Sequence, residues 1–288
     1  MWHYLKNKMI IIKLKGGLGN QLFQYAYGRL LSIKNGVEIK YQFYSNKKDI
    51  QREYKLGYFN TKVEFPTFEE IQKTRYSYGF FSKIIYTINK KILRQHNIGY
   101  IPGALNKKTG YLEGYWQNYK YLEPIRKELL EEITIKNSDG IKKYDILNKI
   151  ENTDSVCVNV RRGDYVSNPK NALEYLTFGM EYYEHAFKLI KEKIENPTLF
   201  IISDDIEWCK NNIKTDLPII FFDPNISDYE SFIIATKCKH NIIANSSFAF
   251  WIAWLNQNPN KVVIAPKKWN NRYTEEYKDL LPKEWMQI

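Results

Sequence analysis

The residues best equipped for chemistry lie in the run Val156–Val166, V-C-V-N-V-R-R-G-D-Y-V. Arg161 and Arg162 stand side by side, with Asp164 two positions further on. A guanidinium keeps its charge at any physiological pH and presents a planar fork of donors. Paired arginines therefore suit a phosphate or pyrophosphate far better than a neutral ligand. The plainer reading is an Arg–Asp pair that pins a loop. Two other polar runs offer matching chemistry. Ser203-Asp204-Asp205 carries carboxylates, and an aspartate can accept from both the ring N–H and the exocyclic amine of guanine, which adenine cannot offer. Asn245-Ser246-Ser247-Phe248 carries hydroxyls where a helix begins, and a helix start attracts anions. Each run could simply cap a helix, Asp205 in one and Ser246 or Ser247 in the other. Taken together they describe a nucleotide site: arginine on phosphate, serine and helix N-terminus on phosphate oxygens, carboxylate on a base or ribose.

These groups need elements to position them. Val156, Val158 and Val160 alternate with Cys157, Asn159 and Arg161, a strand pattern that puts Asn159, Arg161 and Gly163 on one side. Arg162-Gly163-Asp164 breaks the strand at its carboxyl end, where open α/β sheets bind ligands. Beyond it, strands at about 156–161, 198–203, 218–222, 241–245 and 261–265 alternate with helices at about 179–195, 205–213, 227–239 and 247–257. That rhythm implies a parallel sheet wrapped by helices, with three strand ends converging on one edge. The Trp-rich helix Phe248–Leu255 is apolar all round and reads as packing.

The first half is less regular. Met9–Lys15 reads as a buried strand running into Gly16-Gly17-Leu18-Gly19-Asn20 and then a helical pattern to about Lys34. Asn20 is an N-cap candidate, and the glycine turn with Gly17 and Gly19 would let backbone N–H groups approach an anion. A bare strand–turn–helix joint explains it equally. It is neither the dinucleotide fingerprint, whose third glycine would fall at Leu22, nor a Walker loop. Val37–Phe43 reads as a second strand, Thr67-Phe68-Glu69-Glu70 as a capping box, Tyr111–Gln117 as a short strand and Tyr119–Ile135 as a helix. Phe80–Gln95 is amphipathic and basic: a core-facing helix with a solvated side, or a surface that touches anionic lipid. Asn137–Thr153 is polar and is the candidate domain junction.

Composition sets the bounds. The chain has 288 residues, room for two domains, and a formal charge of +11 that favours an anionic partner. Three scattered cysteines, Cys157, Cys209 and Cys238, have no metal spacing and suit a reducing cytosol. No apolar run is long enough for a signal peptide or a membrane span. No acidic or histidine cluster suggests a metal. The sequence reads as a basic cytoplasmic protein, with peripheral contact at the inner face of the membrane as the alternative placement.

Five motifs in order then carry a resemblance: G-G-L-G-N-Q-L-F-Q-Y-A (16–26), G-Y-W-Q-N (114–118), V-R-R-G-D-Y (160–165), S-D-D-I-E-W-C (203–209) and C-K-H-N-I-I-A-N-S-S-F (238–248). The chain resembles the bacterial α-1,2-fucosyltransferases of glycosyltransferase family eleven over nearly its whole length. The resemblance implies an α/β, GT-B-like architecture of two Rossmann-like domains facing each other across a cleft. An acceptor-side domain would span 1–140 and a GDP-fucose-binding domain 141–288. It implies metal-independent, inverting transfer of L-fucose from GDP-fucose to a hydroxyl, with terminal galactose of an oligosaccharide or lipid-linked surface polysaccharide as acceptor. By position, Arg161 would hold the β-phosphate with Arg162 beside it, and Asp204 would read guanine. Ser247 and the Phe248 N–H would bind phosphate next to Ser246, and Asn20 would face the sugar–phosphate junction. The family has histidine where this chain has Asn159, which would meet the guanine as a neutral amide. Asp164 would serve as general base or as orienter of Arg161 or Arg162.

Other readings stay open. A related transferase would use another GDP-sugar or make a different fucosyl linkage. A non-catalytic protein binding an anionic ligand would explain the charge, but no basic, aromatic nucleic-acid motif is present. A carbohydrate-binding module would not need the paired arginines.

Overall fold

The computed structural model describes residues 9–43, 53–75, 98–167, 175–271 and 277–288, with the side chain of Asp164 outside that set. The chain divides into two compact units, 1–133 with 278–280, and 134–277 with 281–288.

In the first unit, β1 (Met9–Leu14) lies between β2 (Glu38–Phe43) and β3 (Gly110–Leu112), all parallel. Ile10, Ile11 and Ile12 are fully buried. Each fully buried aliphatic side chain contributes roughly 1.5–3 kcal/mol, so this short strand anchors the unit. Helix α1 (Leu18–Asn35) covers the sheet and stops at Gly36, whose φ of 60° suits a residue without Cβ. Its inner side is partly polar. Glu132, on α3 (Arg126–Glu132), meets the Arg29 guanidinium at 2.7 Å, Lys62 at 3.2 Å and the Tyr25 hydroxyl. Burial pushes the Glu132 carboxyl up, but Arg29, Tyr25 and Lys62 together outweigh it and leave it below its ordinary value.

Several expectations for this half shift. The capping box forms, Thr67 Oγ1 accepting from Glu70 N–H at 3.2 Å and Glu70 Oε2 from Thr67 N–H at 2.7 Å, and opens α2 (Phe68–Arg75). The expected strand at 111–117 pairs only through Leu112, and the chain then turns at Trp116, whose φ is 48°. The expected helix 119–135 becomes two 3-10 turns, Tyr119–Tyr121 and Glu123–Ile125, before α3. Pro124 has no N–H to carry a helix through that point. The amphipathic stretch 80–95 lies outside the described residues.

The second unit begins with α4 (Asp139–Lys142) and α5 (Asp145–Glu151), which bury Ile141, Ile146 and Ile150. Its parallel sheet has the order β6-β5-β4-β7-β8-β9, where β4 is Asp154–Val160, β5 Pro197–Ser203, β6 Ile219–Phe221, β7 His240–Ile242, β8 Val263–Ala265 and β9 Met286–Gln287. Strand β9 carries no alternation long enough to announce it in sequence.

Helices cover this sheet: α6 (Gly163–Ser167), α7 (Met180–Lys193), α8 (Ile206–Asn212), α9 (Asp228–Ala235) and α10 (Ser247–Leu255). Val156, Val158 and Val160 pack with Tyr183, Phe187 and Ile190 of α7 and with Leu199 and Ile201 of β5. Asn159 falls on the other side of the strand, as its alternation requires. Helix α10 is buried from Ala249 to Leu255, so its tryptophans are core.

Candidate functional site

Strand β4 pairs with β5 on one side and β7 on the other. The carboxyl ends that carry Arg161, Asp204 and Asn245–Ser247 therefore sit next to one another. The β4–β5 register runs to Val160↔Ser203, so Arg161 and Asp204 each follow a paired strand end. Arg161 Nη1 lies 2.7 Å from Asp204 Oδ2, and the Arg162 backbone N–H donates to Asp204 Oδ1 at 2.9 Å. A carboxylate has about four acceptor lone pairs, so each oxygen of Asp204 can still take another donor. Gly163 makes the approach feasible. A Cβ there would stand 2.5 Å from Asp204 Oδ2.

The second arginine is held elsewhere. Arg162 Nε lies 3.4 Å from Asp205 Oδ2, and its guanidinium sits 3.9 Å from the centre of the Trp208 ring. Asp205 also caps α8, accepting from Trp208 N–H at 3.2 Å, so its plainer reading describes it. Neighbouring arginines with different partners can do different work.

At the β7 end, Ser246 is the N-cap of α10, but its side chain makes no capping bond. The first N–H groups of a helix have no intrahelical acceptor, and here they belong to Ser247 and Phe248, both partly exposed residues. The Ser247 hydroxyl stands on the same turn. Below it Asn245 is 2% exposed and donates to Trp269 O at 3.0 Å, while its Oδ1 is buried with no partner.

Tyrosine hydroxyls secure the strand ends, where carbonyls run out of ladder partners. Tyr182 donates to Ile243 O at 2.7 Å, Tyr183 to Asn159 O at 3.4 Å and Tyr165 to Asn245 O at 3.2 Å. Burial pushes the Tyr182 and Tyr183 hydroxyls above their ordinary value, so they stay protonated donors. Asn159 itself is 6% exposed. Asp164 falls in the first turn of α6, with its side chain outside the described set.

Gly17, Gly19 and Asn20 belong to the first unit. The expectation that Asn20 caps α1 is corrected: the cap residue is Gly17, and Asn20 lies inside the first turn. Its Oδ1 instead accepts from Gln117 Nε2 at 2.6 Å. Gly16 is at φ 81°, and a Cβ on it would meet Asn20 Nδ2 at 2.5 Å. The buried Trp116 stacks on Tyr27 at 4.3 Å and so fixes the turn that delivers Gln117. Motifs 16–26 and 114–118 thus meet in one structure. Gln117 lies in the motif 114–118 and Tyr165 in the motif 160–165, yet neither motif shows what they meet. Their partners lie 97 and 80 residues away, beyond any local pattern.

Comparison with known proteins bears on the family and the fold. The profile described as "Glycosyl transferase family 11" matches residues 4–288. An Escherichia coli alpha-1,2-colitosyltransferase is 30% identical over 97% of this chain and 99% of its own length. The O-antigen biosynthesis glycosyltransferase WbnK of Escherichia coli is 28% identical over 89% and 93%. Pig galactoside alpha-(1,2)-fucosyltransferase 2 is 29% identical over 54% of this chain and 47% of its own. Among solved structures, the fucosyltransferase NodZ from Bradyrhizobium covers 86% of this chain and 93% of its own with a TM-score of 0.55 at 11% identity. A mutant of Arabidopsis thaliana FUT1 in complex with GDP covers 89% and 70% with a TM-score of 0.52 at 10% identity. At such identity the likeness carries the fold alone, an α/β fold of the GT-B class.

Proposed function

The chain belongs to glycosyl transferase family 11, and from that premise we propose that it moves L-fucose from GDP-fucose to a hydroxyl of a galactose-terminated glycan, forming an α-1,2 linkage with inversion. The observation that carries this reading is the edge formed by β5, β4 and β7. A carboxylate able to accept two more donors stands there beside an arginine, and a helix start with a serine hydroxyl lies one strand away. We assign Asp204 to the guanine N–H groups, with Asn159 beside it. Arg161 takes the β-phosphate, and the Ser246–Ser247 turn with the Phe248 N–H takes the other phosphate oxygens. Arg162, tied to Asp205 and Trp208, shapes the loop that carries Arg161.

In the reaction an acceptor oxygen attacks the anomeric carbon from the face opposite the nucleotide, and the bond from that carbon to the β-phosphate oxygen breaks. The electron pair leaves with GDP, whose growing charge Arg161 and the α10 N-terminus stabilise. The acceptor proton passes to a base, the role we give Asp164. We read the transfer as metal-independent.

A specific finding favours a second donor. The relative at 30% identity is named a colitosyltransferase, and colitose is fucose without its 3-hydroxyl. One experiment tests both readings. The protein is given GDP-fucose or GDP-colitose with galactose-terminated oligosaccharides and a chelator, and the product linkage is analysed. An α-1,2-fucosylated galactose is the expected product. Transfer of colitose alone, a different linkage, or activity only with added metal would overturn the assignment.

A further inference from the structure

We propose that Tyr165 is a positioning residue that holds the β4 arginine and the β7–α10 serine turn at a fixed separation, so that together they grip a pyrophosphate. The inference rests on the nucleotide-site reading above and adds to it a residue with no assigned role.

The argument begins with what the sheet leaves undone. Between β4 and β5 the register continues to Val160↔Ser203, and the Arg161–Asp204 pair extends the connection. Between β4 and β7 it stops two residues earlier, at Val158↔Ile242. From there the chain leading to Arg161 and the chain leading to Ser246 go on without strand pairing to each other. Yet these are the two groups that would share one ligand. The β4–β7 ladder stops short of both groups, which leaves side chains to bridge the last residues between them.

Tyr165 touches both. Its ring lies under the Arg161 guanidinium, 5.1 Å from ring centre to guanidinium carbon. Its hydroxyl donates to the Asn245 carbonyl, 3.2 Å away, immediately before the serine turn. The side chain is 9% exposed, and Tyr175 stacks on the ring at 4.6 Å with planes 10° apart. A rigid ring with two χ angles, held by stacking and polar at its tip, has little freedom to swing. Asn245 is itself tied through Nδ2 to Trp269 O at 3.0 Å. Tyr165 thus couples an arginine it stacks against to a turn it hydrogen-bonds, across 80 residues of sequence.

Fixed spacing matters only to a ligand that spans both groups. GDP has two phosphates and does; GMP has one and does not. The test is calorimetric titration of the whole protein and two variants with GDP and with GMP. Tyr165→Phe keeps the ring and loses the hydroxyl; Tyr165→Leu loses both contacts. For Tyr165→Phe, GDP affinity is expected to fall roughly 2- to 10-fold, the worth of one neutral hydrogen bond. GMP affinity should change by less than about twofold, within the scatter of a lost contact that GMP does not use. Tyr165→Leu should narrow the gap between GDP and GMP further. A purely architectural tyrosine would weaken both nucleotides equally, and that result, or an unchanged GDP affinity in Tyr165→Phe, overturns the proposal. Tyr165→Phe decides the matter alone if the leucine variant does not fold. A wild-type protein with no preference for GDP over GMP overturns the underlying nucleotide reading instead, and that is seen before any variant is made.

Discussion

Replacing Arg161 and Arg162 one at a time should separate chemistry from architecture. Arg162 makes two contacts that a shorter side chain loses. Its ion pair with Asp205 is 3.4 Å long, between side chains 18% and 38% exposed. A partly solvated pair of this kind contributes about 0.2–1 kcal/mol. Its stacking on Trp208 at 3.9 Å adds about 0.5–2 kcal/mol. Arg162→Ala should therefore cost roughly 1–3 kcal/mol of stability, or a fall in Tm of roughly 2–4 °C per kcal/mol in a chain of this size. Its kcat should stay within about threefold of wild type, since no transition-state charge is lost. Arg161 behaves the other way. Its pair with Asp204 is also partly exposed, at 27% and 26%, and contributes about 0.2–1 kcal/mol, while its contact with the Tyr165 ring at 5.1 Å adds about 0.5–1 kcal/mol, so the loss of stability should be no larger than for Arg162→Ala. Removing one preorganised donor to a developing anion, however, costs on the order of 100- to 1,000-fold in kcat. Arg161→Lys should rescue poorly, because an ammonium cannot serve Asp204 and a phosphate through one planar fork. Thermal melts and initial rates at saturating donor, on the same preparations, give both quantities. A 100-fold loss of kcat in Arg162→Ala with an unchanged Tm, beside an active Arg161→Ala, would refute the division of labour.

Two further outcomes follow from particular contacts. Gly163→Ala places a Cβ 2.5 Å from Asp204 Oδ2, the oxygen paired with Arg161, and must displace the carboxylate from its place. GDP affinity should fall at least about tenfold, the worth of the charge-assisted hydrogen bond that a displaced Asp204 no longer makes to the base, while far-UV circular dichroism stays unchanged; unchanged affinity would show that Asp204 is not used. Glu132 holds a depressed carboxyl pKa in the fold, so its stabilising contribution is complete above its ordinary value of 4.5 and is lost as pH falls through the lower folded value. Glu132→Gln should therefore lower the stability measured at neutral pH and flatten its decline below about pH 4.5, as denaturant midpoints across pH would read. An equal decline in variant and wild type would place the acid sensitivity elsewhere.

Local patterns in this chain are strong enough to be read directly. The alternation of Val156, Val158 and Val160 against Cys157 and Asn159 sets the faces of β4 before any fold is known, because a strand has a period of two. The helix–strand rhythm after residue 154 implies parallel pairing. It therefore also implies that strand ends bearing Arg161, Asp204 and Ser246 share an edge, as the order β5-β4-β7 has it. The apolar helix at 247–255 is legible as core for the same reason: all its sides are apolar.

What stayed hidden depends on partners distant in the chain. Asn20 has the composition of a cap, and capping is a local competition that its type usually wins. Here Gly17 already provides the extended backbone, and Gln117, arriving on a turn with Trp116 at φ 48°, takes the Asn20 carboxamide instead. Strand alternation already sets Arg161 apart from Arg162, but it does not name their partners. Only the fold gives one to Asp204 and the other to Asp205 and Trp208. Tyr165 is one of 23 tyrosines, and nothing beside it in the chain shows that its hydroxyl reaches Asn245. Residue type and period act over a few neighbours and so determine elements, faces and the edge where ligands bind. Which donor meets which acceptor is set by strand order and by where each register stops, and those are properties of the packed chain.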